Sequence, residues 1–397
     1  MDVSKLLEQI DRQELTAFLQ RAVQIPSHIE TKDEEKEIAL FLAERLKREG
    51  IETDLQIVEK ERPNVIAVIH GTGEGKSVTF NGHMDSIPPF DMEDPYSGKI
   101  VGDDLYGRGS CDMKAGIIAM AYAMIAIKRS GLIPKGDIVL SAVVGEEYGS
   151  CGAKHYVKNN KLTDYGICGE PTDMKIGSAQ KGLHWFEFHI PGKTIHSSVS
   201  SKGINAIKRL NELMNDITQD LEPKLAARTH PLLGSSLVNL GKVWGGEQPN
   251  IVPGEAFLQI ERRYIPGETR ASVEAELDEI VEKCNAGYDA EYAITYESMP
   301  YSLNTSKTPM DIPAGHPIVQ GMKEAGRTAL GQDLDIIGVP YWGDAGVLYD
   351  AGVDCILFGP GSVNDGHSKT EKVNLTNVYN AAKVYAVLPF VLAGEKG

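Results

Sequence analysis

Cysteine is scarce in this sequence. Cys111, Cys151, Cys168, Cys284 and Cys355 are five in 397 residues, an odd number with no CxxC pair. That excludes a disulfide framework and makes a reducing cytosol the simplest compartment. Met1 to Gln20 is amphipathic and charged and lacks the apolar core of a signal peptide. The longest apolar run in a helical pattern, Gly116 to Ile127, is too short to span a bilayer, so a soluble protein with no membrane partner is expected. Positive charge is also short: 40 Lys and Arg against 56 Asp and Glu give a formal net charge of −16. An acidic surface argues against nucleic acid as a partner. It leaves room for a carboxylate cluster that a metal would neutralise.

What remains is ordinary globular material, 42% hydrophobic and 24% charged, and long enough for a large core. At roughly 150 residues per domain, the length allows two or three units. The first third alternates helical and strand patterns. Asp33 to Glu49 has helical spacing, with Ile38, Phe41, Leu42 and Leu46 on one face. Asn64 to Ile69, Val78 to Asn81, Asp137 to Val144 and Tyr165 to Cys168 read as strands, and Met113 to Ile127 as a buried helix. This alternation predicts an α/β sheet that is at least partly parallel. Near Gln180 the texture changes. Leu183 to Ile190 alternates apolar with polar, which suits a sheet with one wet face. Helices at Asn205–Ile217 and Ser272–Cys284, with strands at Leu237–Gly241 and Ala256–Arg262, complete an inserted α+β domain over residues 180–298. Residues 1–179 and 299–397 are then two parts of one domain. The second part carries a helix at Pro317–Leu330, a glycine-rich helix start at Gly343–Asp350, a strand at Cys355–Phe358 and a last helix at Leu375–Leu392.

Acids and imidazoles gather where the predicted strands end. Val78–Asn81 runs into Gly82-His83-Met84-Asp85, Asp137–Val144 into Gly145-Glu146-Glu147, and Tyr165–Cys168 into Gly169-Glu170-Pro171. Cys355–Phe358 leads to a glycine-rich loop with Asp365 and His367, and Gly109-Ser110-Cys111-Asp112-Met113-Lys114 precedes a helix. Ligands of open α/β sheets bind beyond the carboxyl ends of strands. Imidazole and carboxylate suit Zn²⁺ and its neighbours, and two His with several acids exceed the needs of one zinc. Two ions would need a bridging carboxylate, and a further carboxylate beside them could take a proton from water. Each piece alone has an ordinary explanation: a hydrogen-bonded strand-end His, a solvated Glu-Glu corner. Five together, at four strand ends and one helix start, do not. Gly107-Arg108-Gly109 resembles part of a nucleotide-binding glycine loop, but no full GxGxxG follows a strand there.

As a set these motifs resemble the metal-dependent amidohydrolase and exopeptidase family that includes acetylornithine deacetylase, succinyl-diaminopimelate desuccinylase, aminoacylase and the glutamate-releasing carboxypeptidase. Asn81 to Asp85, Tyr106 to Gly109 running on to Asp112-Met113-Lys114-Ala115-Gly116, Gly145 to Ser150, Gly169-Glu170-Pro171 and Phe358 to Gly361 match in order and spacing. The resemblance implies a metallo-exopeptidase-like α/β catalytic domain with a mixed, mostly parallel sheet, and an inserted α+β lid and dimerisation domain. It implies that His83 and His367 bind one divalent metal each, that Asp112 bridges them, and that Glu147 and Glu170 complete the shells. Glu146 would be the general base, Asp85 would orient His83, and the Asp112–Met113 peptide would be cis. In the insertion, Gly192 to Ser198 and Gly203 to Ala206 match the lid, so His196 would stabilise the oxyanion. Pro249-Asn250-Ile251-Val252-Pro253 matches an Asn segment, and Arg263, with Arg262 beside it as the other choice, would hold a substrate carboxylate.

Cys111 stands where the family often has a small hydroxyl residue, Asp365-Gly366 replaces a small apolar lead-in to His367, and Glu371 is in its usual place. Gln180-Lys181-Gly182-Leu183 replaces the Arg-Arg-Gly-Ser of a desuccinylase, which ranks that activity as the lower alternative. The expectation is a cytoplasmic homodimeric hydrolase with two Zn²⁺, or Co²⁺, per chain. Its substrate would be an N-acyl amino acid, or a short peptide for a carboxypeptidase or dipeptidase, with a free carboxylate. A non-catalytic protein that kept the fold would have lost a ligand or the base, and none is missing.

Overall fold

The structure is a computed structural model and describes residues 3–299 and 308–392. The chain forms two compact units. One is Met1–Ala179 with Asp311–Val339 and Gly343–Gly397, and the other is Gln180–Met310 with Pro340–Trp342. The inserted unit thus runs past 298 to Met310, and a short piece of the late chain, Pro340–Trp342, returns to it.

The first unit is built on a nine-stranded sheet. Its strands are β1 (Glu52–Glu59), β2 (Arg62–Ile69), β3 (Val78–His83), β4 (Ile138–Val143), β5 (Tyr165–Cys168), β6 (Ile176–Gln180), β7 (Met310–Asp311), β8 (Ile336–Val339) and β9 (Asp354–Leu357). Their order is β1-β2-β4-β3-β5-β9-β6-β7, with β8 also on β6. The central four, β4, β3, β5 and β9, pair in parallel. The flanking pairs β1–β2, β2–β4 and β9–β6 are antiparallel. Parallel pairing therefore holds the middle of the sheet and not its flanks.

Strands β3, β4 and β5 are buried at every residue, as central strands covered on both faces must be. Helix Ala115–Ser130 buries every residue except Lys128 and Arg129 near its end, and helix Leu375–Val391 packs along it. The stretch Ser110–Ser130 is long and apolar enough to cross a membrane, longer than the Gly116–Ile127 reading, but 94% of its window lies inside the protein. It is a core helix. A small sheet of Ile100–Val101, Asp104–Tyr106 and Lys372–Asn374 joins two distant parts of the chain.

The inserted unit has a four-stranded antiparallel sheet in the order Leu237–Gly245, Glu255–Tyr264, Gly182–Pro191, Thr295–Ser298. Alternate residues Phe186, Phe188 and Ile190 meet Leu258, Ile260 and helix residues such as Leu210 and Leu277 in its core. Asn205 accepts from the Lys208 N–H to cap helix Ala206–Asp216, and Thr269 and Ser272 form a reciprocal box at the start of helix Arg270–Asn285.

Candidate metal centre

Because β4, β3, β5 and β9 run parallel, their carboxyl ends share one edge of the sheet. His83 is the last residue of β3. Glu146 and Glu147 follow β4, Glu170 follows β5, and His367 follows β9 by way of a loop. Asp112 reaches the same edge from the turn before helix Ala115–Ser130. A Cβ on Gly116 would lie 2.1 Å from the Gly169 carbonyl oxygen, so only glycine lets the helix begin so close to the chain leading to Glu170. The Asp112–Met113 peptide is cis, as the resemblance implies.

The two oxygens of Asp112 face two different imidazoles. Oδ1 is 3.1 Å from His83 Nε2 and Oδ2 is 3.2 Å from His367 Nε2. Glu170 Oε1 lies 3.9 Å from His83 Nε2, and Glu147 Oε1 lies 2.9 Å from His367 Nε2. Each imidazole thus has one carboxylate of its own and shares Asp112. His83 Nδ1 is 3.0 Å from the Asp85 carbonyl oxygen, to which its N–H donates, so the other ring nitrogen is directed at Asp112. The Asp85 carboxylate also accepts the backbone N–H of Glu146 at 3.1 Å and of Glu147 at 3.0 Å. Glu371 accepts the N–H groups of Cys111 and Asp112 at 3.0 and 3.1 Å and pairs with the buried Arg108.

Burial, together with neighbouring acids, pushes the carboxyls of Glu146, Glu147 and Glu170 above the usual range. Asp112 goes the other way. Burial would raise it, but the bonds from His367 and His83 hold it low. Those same bonds, from Asp112 and Glu147, push His367 up to about 10. Burial opposes the charge on His83, yet Asp112 and Asp85 raise it well above its ordinary value. This edge is short of positive charge. Ligand atoms of His83, Asp112 and Glu147 lie within 4.8 Å of one another, a donor set of nitrogen and carboxylate oxygen that fits a transition-metal dication.

This gives a pH signature. In metal-free protein the folded chain holds a proton on His367 up to about pH 10, whereas the unfolded chain releases it near 6.5. Folding therefore takes up protons in that window, and stability falls as pH rises through it. A cation held by His367 would take the place of the proton. The rise in Tm on adding Zn²⁺ is expected to be larger at about pH 9 than at about pH 6. Scanning calorimetry of metal-free and loaded protein checks this, and a rise that shrinks with pH would contradict it.

In the inserted unit, His196 is exposed at the head of a short turn, Ser197–Lys202. The Ser198 N–H donates to its Nδ1 at 3.2 Å, so the neutral ring carries its proton on Nε2, as a donor. Ser197 N–H donates to the Asn250 carbonyl at 3.0 Å, and His196 bridges Ile251, so the two predicted segments meet. Arg262 and Arg263 point to opposite faces of Glu255–Tyr264. Arg262 is fully buried and bonded to Glu276 at 2.9 Å and to the Leu237 carbonyl at 2.9 Å, so it braces helix Arg270–Asn285. Arg263 is half-buried against Glu261 at 2.7 Å. It stands at the opposite end of the strand from the Asn250 segment.

Cys111 is buried with its thiol 3.2 Å from the Ser362 carbonyl, and burial raises its pKa, so it is a protonated packing residue. Sequence reasoning missed Asp344. It is fully buried at the start of helix Ala345–Asp350, and its charge raises the carboxyls of Glu146 and Glu170. Its one signal was an acid set among small residues, Gly343-Asp344-Ala345-Gly346, ahead of an apolar helix.

Paired imidazoles and shared carboxylates on the carboxyl edge of an α/β sheet, with an α+β insertion, define a metallohydrolase centre. The chain belongs to peptidase family M20/M25/M40, whose profile matches residues 79–389. A Peptidase M20 domain-containing protein of Schizosaccharomyces pombe is 30% identical over 359 residues, covering 88% of this chain and 78% of its own. An acetylornithine deacetylase of Aliivibrio fischeri is 29% identical over 334 residues, 81% of this chain and 82% of its own. The crystal structure of aminopeptidase PepT from Bacillus cereus shares the fold, with a TM-score of 0.79 at 23% identity, covering 98% of this chain and 100% of that one.

Proposed function

We propose that this chain hydrolyses the amide bond of an N-acyl amino acid with a free carboxylate, in the manner of an acetylornithine deacetylase. The observation that carries the reading is Asp112 set between His83 and His367. His83, Asp112 and Glu170 would hold one divalent ion, and His367, Asp112 and Glu147 the second. Zn²⁺ or Co²⁺ bound there supplies a Lewis acid for the scissile carbonyl and lowers the pKa of water. Glu146, raised above an ordinary carboxylic acid, takes the proton of the attacking water and returns it to the departing amine. Asp85 aims His83 and fixes the backbone of Glu146 and Glu147. His196 donates from Nε2 to the developing oxyanion, with Asn250 beside it, and Arg263 receives the substrate carboxylate. A homodimer joined through the inserted units and a cytoplasmic location complete the reading. Five free cysteines suit a reducing compartment.

A carboxypeptidase or dipeptidase would use the same groups, and the peptidase family name keeps that alternative open. The desuccinylase alternative is weaker. Lys181, in the segment that departs from that enzyme's pattern, has its ammonium on the Ser235 carbonyl at 2.6 Å. The test is a screen of N-acetyl amino acids against dipeptides, with metal analysis and a chelator control. Up to two transition-metal ions per chain are expected. Activity should be lost to chelator, regained with Zn²⁺ or Co²⁺, and highest on the N-acetyl compounds. Full activity in metal-free protein would overturn the mechanism, and faster cleavage of dipeptides would favour the peptidase.

Arg263 is tested by paired substrates. Arg263→Ala should raise KM about tenfold or more for a free acid and change it little for the matching ester, because a guanidinium grips carboxylate in a two-pronged geometry. Equal effects on both would remove Arg263 from substrate recognition.

A further inference from the structure

The corner that carries Glu146 and Glu147 is held by side chains. Four successive amides each donate to a buried side-chain oxygen. Val144 donates to Asn64 Oδ1 at 3.1 Å and Gly145 to Glu35 Oε1 at 3.2 Å. Glu146 and Glu147 donate to the two oxygens of Asp85. Glu35 belongs to none of the motifs at the strand ends. It is 1% exposed and immediately precedes helix Lys36–Arg48, yet it makes no capping bond to that helix. Instead Arg62 grips it with two bonds, Nε to Oε2 at 2.7 Å and Nη2 to Oε1 at 2.5 Å. Arg62 also meets Glu34 at 2.7 Å and Glu59 at 2.6 Å.

A buried ion pair is seldom more stabilising than apolar residues of the same volume, so stability alone is a poor account of this one. What an apolar pair could not do is accept the Gly145 N–H. Gly145 has φ +73°, and a Cβ there would lie 2.7 Å from Cys151 Sγ and 3.0 Å from Arg62 Nη2. The residue before the proposed base is thus a left-handed glycine packed on the ion pair and bonded to it.

We infer that Glu35 and Arg62 are positioning residues for hydrolysis: the pair fixes the Gly145 peptide and so sets the direction in which Glu146 and Glu147 leave the sheet edge. Neither touches the reacting groups. The inference rests on the reading of Glu146 as the base. A displacement of about 1 Å in a reacting group can cost roughly a hundredfold in rate, and outer-layer partners of metal sites typically matter 10- to 100-fold.

Glu35→Met and Glu35→Gln separate the effects. Both remove the charge, and both leave Arg62 with Glu34 and Glu59. Only Gln keeps an oxygen that can accept the Gly145 N–H. At saturating metal, Glu35→Met should lose about 10- to 100-fold in kcat with KM changed less than about threefold, while Glu35→Gln stays within about fivefold of wild type. Equal kcat in the two variants would overturn the inference. Amide exchange on the metal-free wild type is a second measurement that does not depend on either variant folding. The Gly145 amide should exchange as slowly as those of Glu146 and Glu147, and exchange at the rate of an exposed loop would also overturn it. Glu146→Gln is run alongside. If it is inactive while Glu35→Met matches wild type, the positioning inference alone fails. If it is active, the base assignment fails and takes the inference with it.

Discussion

Glu146→Gln is expected to lower kcat by roughly 10²–10⁴-fold while metal content stays near wild type. The amide keeps the shape of the side chain but cannot accept a proton from water. At about 1.36 kcal/mol per tenfold, the loss is about 2.7–5.4 kcal/mol of barrier, well above the ~1 kcal/mol typical of one hydrogen bond in folding. Stability should therefore change far less than rate. Glu147→Gln should behave differently. Its Oε1 lies 2.9 Å from His367 Nε2, so it should lose metal together with activity. A Glu146→Gln enzyme with more than about a tenth of wild-type kcat would contradict the base assignment, and a Glu147→Gln enzyme with full metal content would contradict the ligand assignment.

Much of this centre could be read from sequence because parallel strands bring their carboxyl ends together. Once Val78–Asn81, Asp137–Val144 and Tyr165–Cys168 read as buried strands, the acids and imidazole that follow them had to share an edge. Strand β1 escaped that reading. Glu52–Glu59 exposes Glu52, Asp54, Ile57 and Glu59, half-buries the rest and has its partner β2 on one side, so it carries little apolar signal. Asp85 and Glu371 were picked out in the sequence, but Glu35 and the contacts that Glu371 makes were not. Glu35 meets Gly145 across 110 positions, and Glu371 meets Asp112 across 259. Such pairs leave no local pattern, since neither residue type nor spacing says that two distant groups will be buried against each other. The sequence favoured Arg263 by resemblance and left Arg262 as the other choice. Adjacent strand residues point to opposite faces, and only the packing of Glu276 on one face shows which guanidinium is occupied.

His196→Ala is expected to lower kcat by roughly 10²–10³-fold, the usual cost of one oxyanion donor, and to leave metal content unchanged. The direction of the effect follows from the ring's tautomer, since Ser198 N–H occupies Nδ1 and leaves the proton on Nε2. In the proposed homodimer, the strand Glu255–Tyr264 bears on which subunit the histidine serves. His196 is tied to the Asn250–Ile251 segment just before that strand, whereas Arg263 lies eight residues beyond Glu255. At about 3.4 Å per residue, roughly 27 Å of strand separates the two ends. A substrate the size of an N-acyl amino acid cannot touch both from one inserted unit. If Arg263 holds its carboxylate and His196 its oxyanion, they come from different subunits. Mixing two inactive proteins, His196→Ala and Glu146→Gln, then restores activity, because each heterodimer assembles one site with an intact base and an intact donor. With full subunit exchange, half of the dimers are mixed and each carries one intact site of two, so about a quarter of wild-type activity should return. No recovery, with exchange demonstrated by a mass-tagged partner, would place His196 in its own subunit's reaction or outside the reaction, and would overturn its role across the dimer.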